Sequence, residues 1–512
     1  MSDPSAVPDG LDVFYGDLHS HCDVGYGHGT LDEAYRNARL SLDFVAITPH
    51  AHWHDLPSED DERLGYLRDY HLRGFARTRD QWPRVLELAA ANHEPGRFVT
   101  FVAFEWHSMA YGDHNVYFRD GDGEVLRAPD LPALREAIRQ VRAQGGDAIA
   151  IPHHIGYRPP GRGIEWSAYT EEVSPVVEAL SMHGAAESGE GPFPYLHTMG
   201  PRDAASTYQH GLALGHRVGI IGSSDHHSGH PGSYGHGRLA VWAQDLTREG
   251  IWEAIRARRT YALSGGDQRV ALRVADHFLG DVAPATPVRE ALVEVIGSGP
   301  VDSVELLHRN RVVARADAGV GRLAPQLETP ARTHLEVGWA EVGVPVSWDV
   351  EVRVEGGRLL AVDPRFRGLH VVAPQDMDER DYAVSAWSRT PEGGVRFTTR
   401  TEGNVNSATP GMQGLALDVD GDERTVLVAT FNGHEERVPL RDLVEGPRTG
   451  RLGGFLAPAW AFSRAVGLRE RTVRMEFEHR PERPSGERDW YTVRVRQVDG
   501  QAAWTSPVWV EA

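Results

Sequence analysis

Six short apolar runs in the first half of the chain each stop at a histidine or a carboxylate. The runs "VFYGDLHSH", "FVAITPH", "FVTFVAFEWH", "DAIAIPHH", "VVEALSMHG" and "GIIGSSDHH" deliver in turn His19 and His21, His50, Glu105, His153 and His154, His183, and Asp225 with His226 and His227. Helical segments separate several of these runs. Strands alternating with helices predict parallel βαβ units, and in a parallel α/β barrel the C-terminal strand ends open onto one face. Such a fold gathers the imidazoles and carboxylates at one place. Residues i and i+2 share a face of a strand, so His19 and His21 aim at one spot. Imidazole together with carboxylate suits zinc, iron or manganese rather than calcium.

The helical segments carry their own signals. "LDEAYRNARLSL" follows Thr30, which forms a capping-box pattern with Glu33. "LPALREAIRQVRAQGG" is amphipathic with a glycine stop, and residues 246–259 form another helix. Twenty of the 26 histidines fall between His19 and His236. After about Ala262 the texture changes to short alternating strands with Gly, Pro and Asp turns, including "VDGQ" near Gly500, an Asp-Gly hairpin signal. The division predicted is an α/β domain over 1–265 and a β-rich, sandwich-like region over 266–512 that can fall into two parts.

Composition narrows the class of function. The chain has 512 residues, a formal net charge of −20 and no lysine; all 53 basic residues are arginines. Neither a lysine Schiff base nor a carbamylated-lysine metal bridge is possible. The acidic balance argues against a nucleic-acid backbone as partner. The single cysteine, Cys22, rules out an intrachain disulfide, and strand alternation turns its thiol away from His19 and His21. The N-terminus has neither a basic segment nor an apolar run, and no stretch of about 18 apolar residues occurs. The expectation is a cytoplasmic protein without a membrane span, handling a small molecule, with a homo-oligomer open.

The motifs "DLHSH", "AITPH", "FEW", "IPHH" and "SSDHH", in that order from Asp17 to His227, resemble the PHP family, named for polymerase and histidinol phosphatase. "GDHNVYF", "VEALSMHGAAES", "SSDHHSGHPGSYG" and "LTREGIWEAIRARRTYALSG" look like an uncharacterised branch of it, known as a domain of unknown function. The resemblance implies a distorted (β/α)7 barrel holding two or three divalent metals, Mn, Fe or Zn. It implies one metal on His19, His21, Glu105 and Asp225, a second bridged by Glu105 and completed by His114 and His153, and a third on His28, His50 and His227. Two departures stand out. The loop before His28 differs in length, and the usual Thr-Asp-His is Thr-Pro-His here, with Pro49 in place of the aspartate. His154 can replace His153, and His226 can replace His227, although Asp225-x-His227 has the spacing that shares a face.

A carboxylate bridging two cations about 3.5–4 Å apart acidifies a shared water and polarises a phosphoryl or carbonyl oxygen. The chemistry expected is hydrolysis centred on Glu105 and Asp225, with His183 as substrate contact or proton donor. Asp17 is expected to orient a ligand imidazole, and Glu178 to be buried and paired. Tyr157, Arg158, Arg162 and His154 lie on or beside the loop past the metal face and are candidate substrate contacts, arginine being suited to phosphate. A phosphate ester leads. A carbamate, carboxylic ester or amide is the alternative, for which an apolar pocket of Trp53, Trp106 and Trp166 would speak. A non-catalytic metal-holding module and a DNA exonuclease complete the field.

Overall fold

The computed structural model describes residues 5–322, 325–369, 381–404, 410–481 and 488–511. The first half is mixed α/β. Strands β1 (Asp12–Asp17), β2 (Phe44–Ile47) and β4 (Val99–His107) lie side by side and parallel, with β3 (His50–Trp53) parallel to the end of β4. Every residue of β2 and β4 is buried. That explains their continuous apolar composition, since a strand covered on both faces has no solvent side to mark.

The parallel pattern breaks after β4. β5 (His114–Phe118) pairs antiparallel with β4, and β6 (Ala148–Pro152) antiparallel with β5. The loop over residues 108–113 is too short for a parallel crossover, which takes a dozen or more residues, so the chain turns straight back. β7 (Val176–Ser181), β8 (Gly184–Ala185) and β9 (Gly219–Gly222) form a separate small sheet in which β7 and β9 are parallel. β10 (Arg238–Ala243) returns antiparallel beside β1, and β11 (Thr260–Leu263) antiparallel beside β10. Among the described residues the strands therefore do not close into one hydrogen-bonded parallel barrel. The two sheets meet where it matters for the site. A bridge joins Ser20 to His226, and the Asp225 N–H donates to His19 O at 2.7 Å.

The expected helices form as α1 (Leu31–Ala38), α3 (Leu131–Ala143) and α5 (Arg248–Arg256). Thr30 and Glu33 make the capping box at α1. The sequence reading lacks α2 (Gly65–Ala91), the longest helix, and the short α4 (Tyr208–Ala213). The first half of α2 buries His71, Gly74 and Thr78 instead of an apolar stripe, so no helical hydrophobic period marks it.

The second half is β-rich. A sheet containing Arg269–Val274, Arg289–Ile296 and Thr472–His479 shares one apolar core with residues from Val301–His308, Asp489–Gln497 and β11, a sandwich-like packing. The two long strands Val346–Pro364 and Gln413–Phe431 anchor a third sheet. Gly500, at φ 83°, makes the turn between Asp489–Gln497 and Ala502–Thr505. The latter strand pairs with β11, so the last strands of the chain extend the sheet of the first half. No helix among the described residues is long and apolar enough to cross a membrane.

Candidate metal centre

The loop leaving β1 is fixed before any ligand is placed. Asp17, fully buried at the strand end, accepts the N–H of His19 at 3.0 Å and of Ser224 at 3.1 Å on Oδ1, and that of Gly232 at 2.7 Å on Oδ2. It ties the exits of β1 and β9 together through backbone and does not orient an imidazole, the role expected of it. That role falls to Glu178 on β7. Its carboxylate lies 3.0 and 3.2 Å from His19 Nδ1, leaving Nε2 to face inward.

Around that inward face the donor atoms crowd. His19 Nε2 and His21 Nε2 are 3.0 Å apart, and Asp225 Oδ1 is 3.2 and 3.1 Å from them. His21 also joins His50 and His227 in a second group. Donors on a tetrahedral ion with bonds of about 2.0–2.1 Å would stand about 3.3 Å apart, close to the 3.0–3.2 Å found among His19, His21 and Asp225. Glu105 sits between the groups. Its Oε2 lies 3.3 Å from His50 Nε2 and 3.4 Å from His21 Nε2, and its Oε1 3.1 Å from His153 Nε2 and 3.2 Å from His107 Nδ1. Oε2 is buried and accepts no hydrogen bond. An anionic oxygen in that position is satisfied by a cation, so the residues present fit divalent metal ions.

The charges agree. Burial would raise the Glu105 carboxyl, yet His107, His50 and His153 outweigh it and hold the group well below the usual carboxylate range. Asp225 is held low in the same way by His19, His183 and His21 against its burial. Burial and neighbouring imidazoles keep His50 and His153 well below the usual histidine value, and His227 is pushed down to about 3. These rings are neutral at pH 7, the form that ligates. His19 alone is drawn well above its ordinary value, with Asp225 and Glu178 overcoming its burial. The pocket demands positive charge at that point.

On the far side of Glu105 lies a third group made of Glu105, Asp113, His153 and His154. Arg162 enters it. Its Nε donates to Asp113 Oδ2 at 2.6 Å, and its Nη2 contacts Asp113 and lies 2.7 Å from His107 Nδ1. His154 Nε2 is 3.3 Å from the same Asp113 oxygen. His154, Arg162 and Asp225 all have positive φ, at 31°, 68° and 53°. Such strain in non-glycine residues gathers where a structure forces side chains into a site.

His183 Nε2 lies 3.1 Å from Asp225 Oδ2, and its Nδ1 2.7 Å from the Tyr157 hydroxyl. At 11% and 22% exposure, the side chains of His183 and His227 are among the more open of the cluster.

Not every expected residue joins. His114 stands opposite Trp106 in the β4–β5 register, so it shares the Trp106 face and not the Glu105 face; its Nδ1 bonds Gly112 O at 2.9 Å. Asp113, one residue earlier, and His107, two after Glu105, take the places on the site face. Both were missed, although i+2 spacing from Glu105 was the available signal for His107. His28 turns to the Tyr382 hydroxyl at 3.1 Å and lies in none of the donor groups. His226 stacks on His236, so of that pair His227 is the one in the cluster. The Arg158 side chain is 85% exposed beside Asp203, away from the donors. Of the three tryptophans, Trp53 borders the site under Arg162, whereas Trp106 is buried against His54 and Trp166 against Tyr169 and His216. Cys22 is buried in an apolar core.

A family model described as a protein of unknown function (DUF3604) matches residues 56–157. That segment carries Glu105, His107, Asp113, His153, His154 and Tyr157. A 3-demethoxyubiquinol 3-hydroxylase of Methylibium petroleiphilum is 31% identical over 62 residues, which is 12% of this chain and 29% of that enzyme. The chain thus spans under a third of that relative's length. A crystal structure of a two-domain protein from Bacteroides vulgatus, described as containing a predicted PHP-like metal-dependent phosphoesterase, superposes with a TM-score of 0.32 at 18% identity, covering 60% of this chain and 87% of that one.

Proposed function

We propose that the chain is a PHP-type metal-dependent hydrolase, a phosphoesterase acting on a small molecule. The observation that carries this reading is Glu105 Oε2, a buried oxygen that accepts no hydrogen bond and stands 3.4 and 3.3 Å from Nε2 of His21 and His50, between the donor groups His19–His21–Asp225 and His21–His50–His227. A carboxylate so placed is built to be shared between cations. His19, His21 and Asp225 would hold one ion and His50 and His227 another, with Glu105 serving both.

Divalent ions bound there would supply an acidified water and an electrophile for a phosphoryl oxygen. The chain supplies the rest. Glu178 fixes the His19 ring so that Nε2 stays presented inward. In its cationic form His183 donates from Nδ1 to the Tyr157 hydroxyl oxygen and carries a second proton on Nε2, directed at Asp225. His183 is thereby set to pass that proton to a leaving oxygen. The guanidinium of Arg162 adds positive charge within the site, which favours a phosphate over a neutral ester or carbamate. An apolar pocket of Trp53, Trp106 and Trp166, which the alternative needs, is not formed.

The test pairs metal analysis with turnover. Mn, Fe and Zn per chain are quantified in untagged protein, and an aryl phosphomonoester, phosphodiester, carbamate and carboxylic ester are assayed beside Glu105→Gln. Bound metal with phosphoester turnover that the variant loses is the expected result. Turnover of the carbamate or ester alone would keep the site and change the substrate class. Absence of metal and of turnover after reconstitution would sink the enzyme reading.

A further inference from the structure

The donor atoms of the site make more groups than the two ion positions just described. The set of Glu105, Asp113, His153 and His154, with His107 beside it, has the composition of a further cation site. A cation is already there. Arg162 Nε and Nη2 lie on Asp113 Oδ2, Nη2 is 2.7 Å from His107 Nδ1, and the same nitrogen is 3.7 Å from Glu105 Oε1. An arginine nitrogen has no lone pair to offer, so His107 Nδ1 accepts from it and is not available to a metal. Asp113 Oδ2 is likewise taken by Arg162 and His154. A divalent ion bound to Asp113 would stand against the guanidinium at contact distance, with little water between them to screen the repulsion.

The side chain is held there from several directions. Arg162 packs over the Trp53 ring, its centre 4.9 Å from the ring centroid, and Met199 Sδ closes its outer edge at 3.7 Å from Nη1. Its backbone keeps the left-handed conformation at φ 68°, which a residue with a side chain adopts only where its surroundings hold it.

We propose that the guanidinium of Arg162 is a resident cation of the centre, occupying the place of a third metal ion among Glu105, His107, Asp113 and His154, so that the chain binds two divalent ions and not three. This rests on the metal-centre reading above and deepens it. Asp113 and His107 then hold an arginine instead of a metal. Arg162 is a positioning residue: it holds Asp113 and His107 in place, while Oε2 of Glu105 would serve the ions.

The test is metal stoichiometry by mass spectrometry after loading with Mn²⁺ and desalting, on wild type, Arg162→Met, Arg162→Lys and Asp113→Asn. Two equivalents in wild type, three in Arg162→Met and two in Arg162→Lys are expected, since the lysine restores the charge. Asp113→Asn, which tests the same point should Arg162→Met fail to fold, is expected to keep two equivalents. Three equivalents in wild type, equal counts in wild type and Arg162→Met, or loss of one equivalent in Asp113→Asn would overturn the assignment and leave the metal centre standing. No bound metal in any of the four would overturn both.

Discussion

Glu178 Oε2 lies 3.0 Å from Nδ1 of His19, and Nε2 of that ring lies 3.2 Å from Asp225 Oδ1. A carboxylate behind a ligand imidazole fixes its tautomer and raises its basicity, and removing such a partner lowers metal affinity roughly 10–100-fold. Glu178→Gln is therefore expected to keep the fold and weaken metal binding by about that factor, read by competition with a fluorescent chelator. Unchanged affinity would reduce Glu178 to a packing residue. Burial raises its carboxyl to about 7 against the pull of His19. Uptake of metal, which favours the ionised carboxylate behind the ring, should strengthen as pH rises through 7, and the variant should lose that part of the dependence.

His183 stands between Tyr157 and Asp225 and belongs to none of the donor groups. His183→Gln is expected to lower kcat by roughly 10²–10⁴ with metal content unchanged. Tyr157→Phe should cost less, because it removes the group that orients the ring and leaves the ring itself. Loss of bound metal in His183→Gln would make the residue a ligand and not a proton carrier.

The sequence made the site legible where strand periodicity and strand ends coincide. His19 and His21 share a face as i and i+2, and Asp225 and His227 repeat that spacing. The same rule applied to "FEWH" leads from Glu105 to His107. Choosing His114 in "GDHN" took the wrong phase of β5, because the register that sets Trp106 and not Glu105 opposite it arises from a turn that local pattern does not reveal. The pairing of Glu178 with His19 and of Tyr382 with His28 joins residues more than 150 positions apart, and only the packing of sheets decides it. Helix α2 stayed hidden because its first turns bury histidine, glycine and threonine.

Asp17 gives a stability prediction separate from catalysis. Three buried backbone N–H groups, those of His19, Ser224 and Gly232, depend on its carboxylate. Leaving a buried donor unsatisfied costs about 1–3 kcal/mol, so Asp17→Ala is expected to lose several kcal/mol and to lower the melting temperature of the metal-free protein sharply. Asp17→Asn keeps one acceptor oxygen and should fall between. Equal melting temperatures for Asp17→Ala and wild type would show that the two strand exits hold together without it.

His114 supplies a pH prediction that also tests its place outside the metal centre. Burial, only partly opposed by its bond to Gly112 O, pushes its imidazole down to about 4. The unfolded chain binds that proton near 6.5. Between pH 4 and 6.5 the unfolded state therefore carries more protons, so stability is present in full above 6.5 and drains away as pH falls toward 4. With about 1.4 kcal/mol per pKa unit, the contribution is on the order of 3 kcal/mol. His114→Asn keeps a donor for Gly112 O and cannot titrate. In metal-free protein it is expected to flatten the fall in urea-unfolding free energy between pH 6.5 and 4 without abolishing it, because the buried His227 and His230 lose stability in the same direction. Loaded at pH 7.5, the variant should bind as much metal as wild type. A lost equivalent of metal would make His114 a ligand after all, and an unchanged acid slope would mean that its ring gains a proton without disturbing the fold.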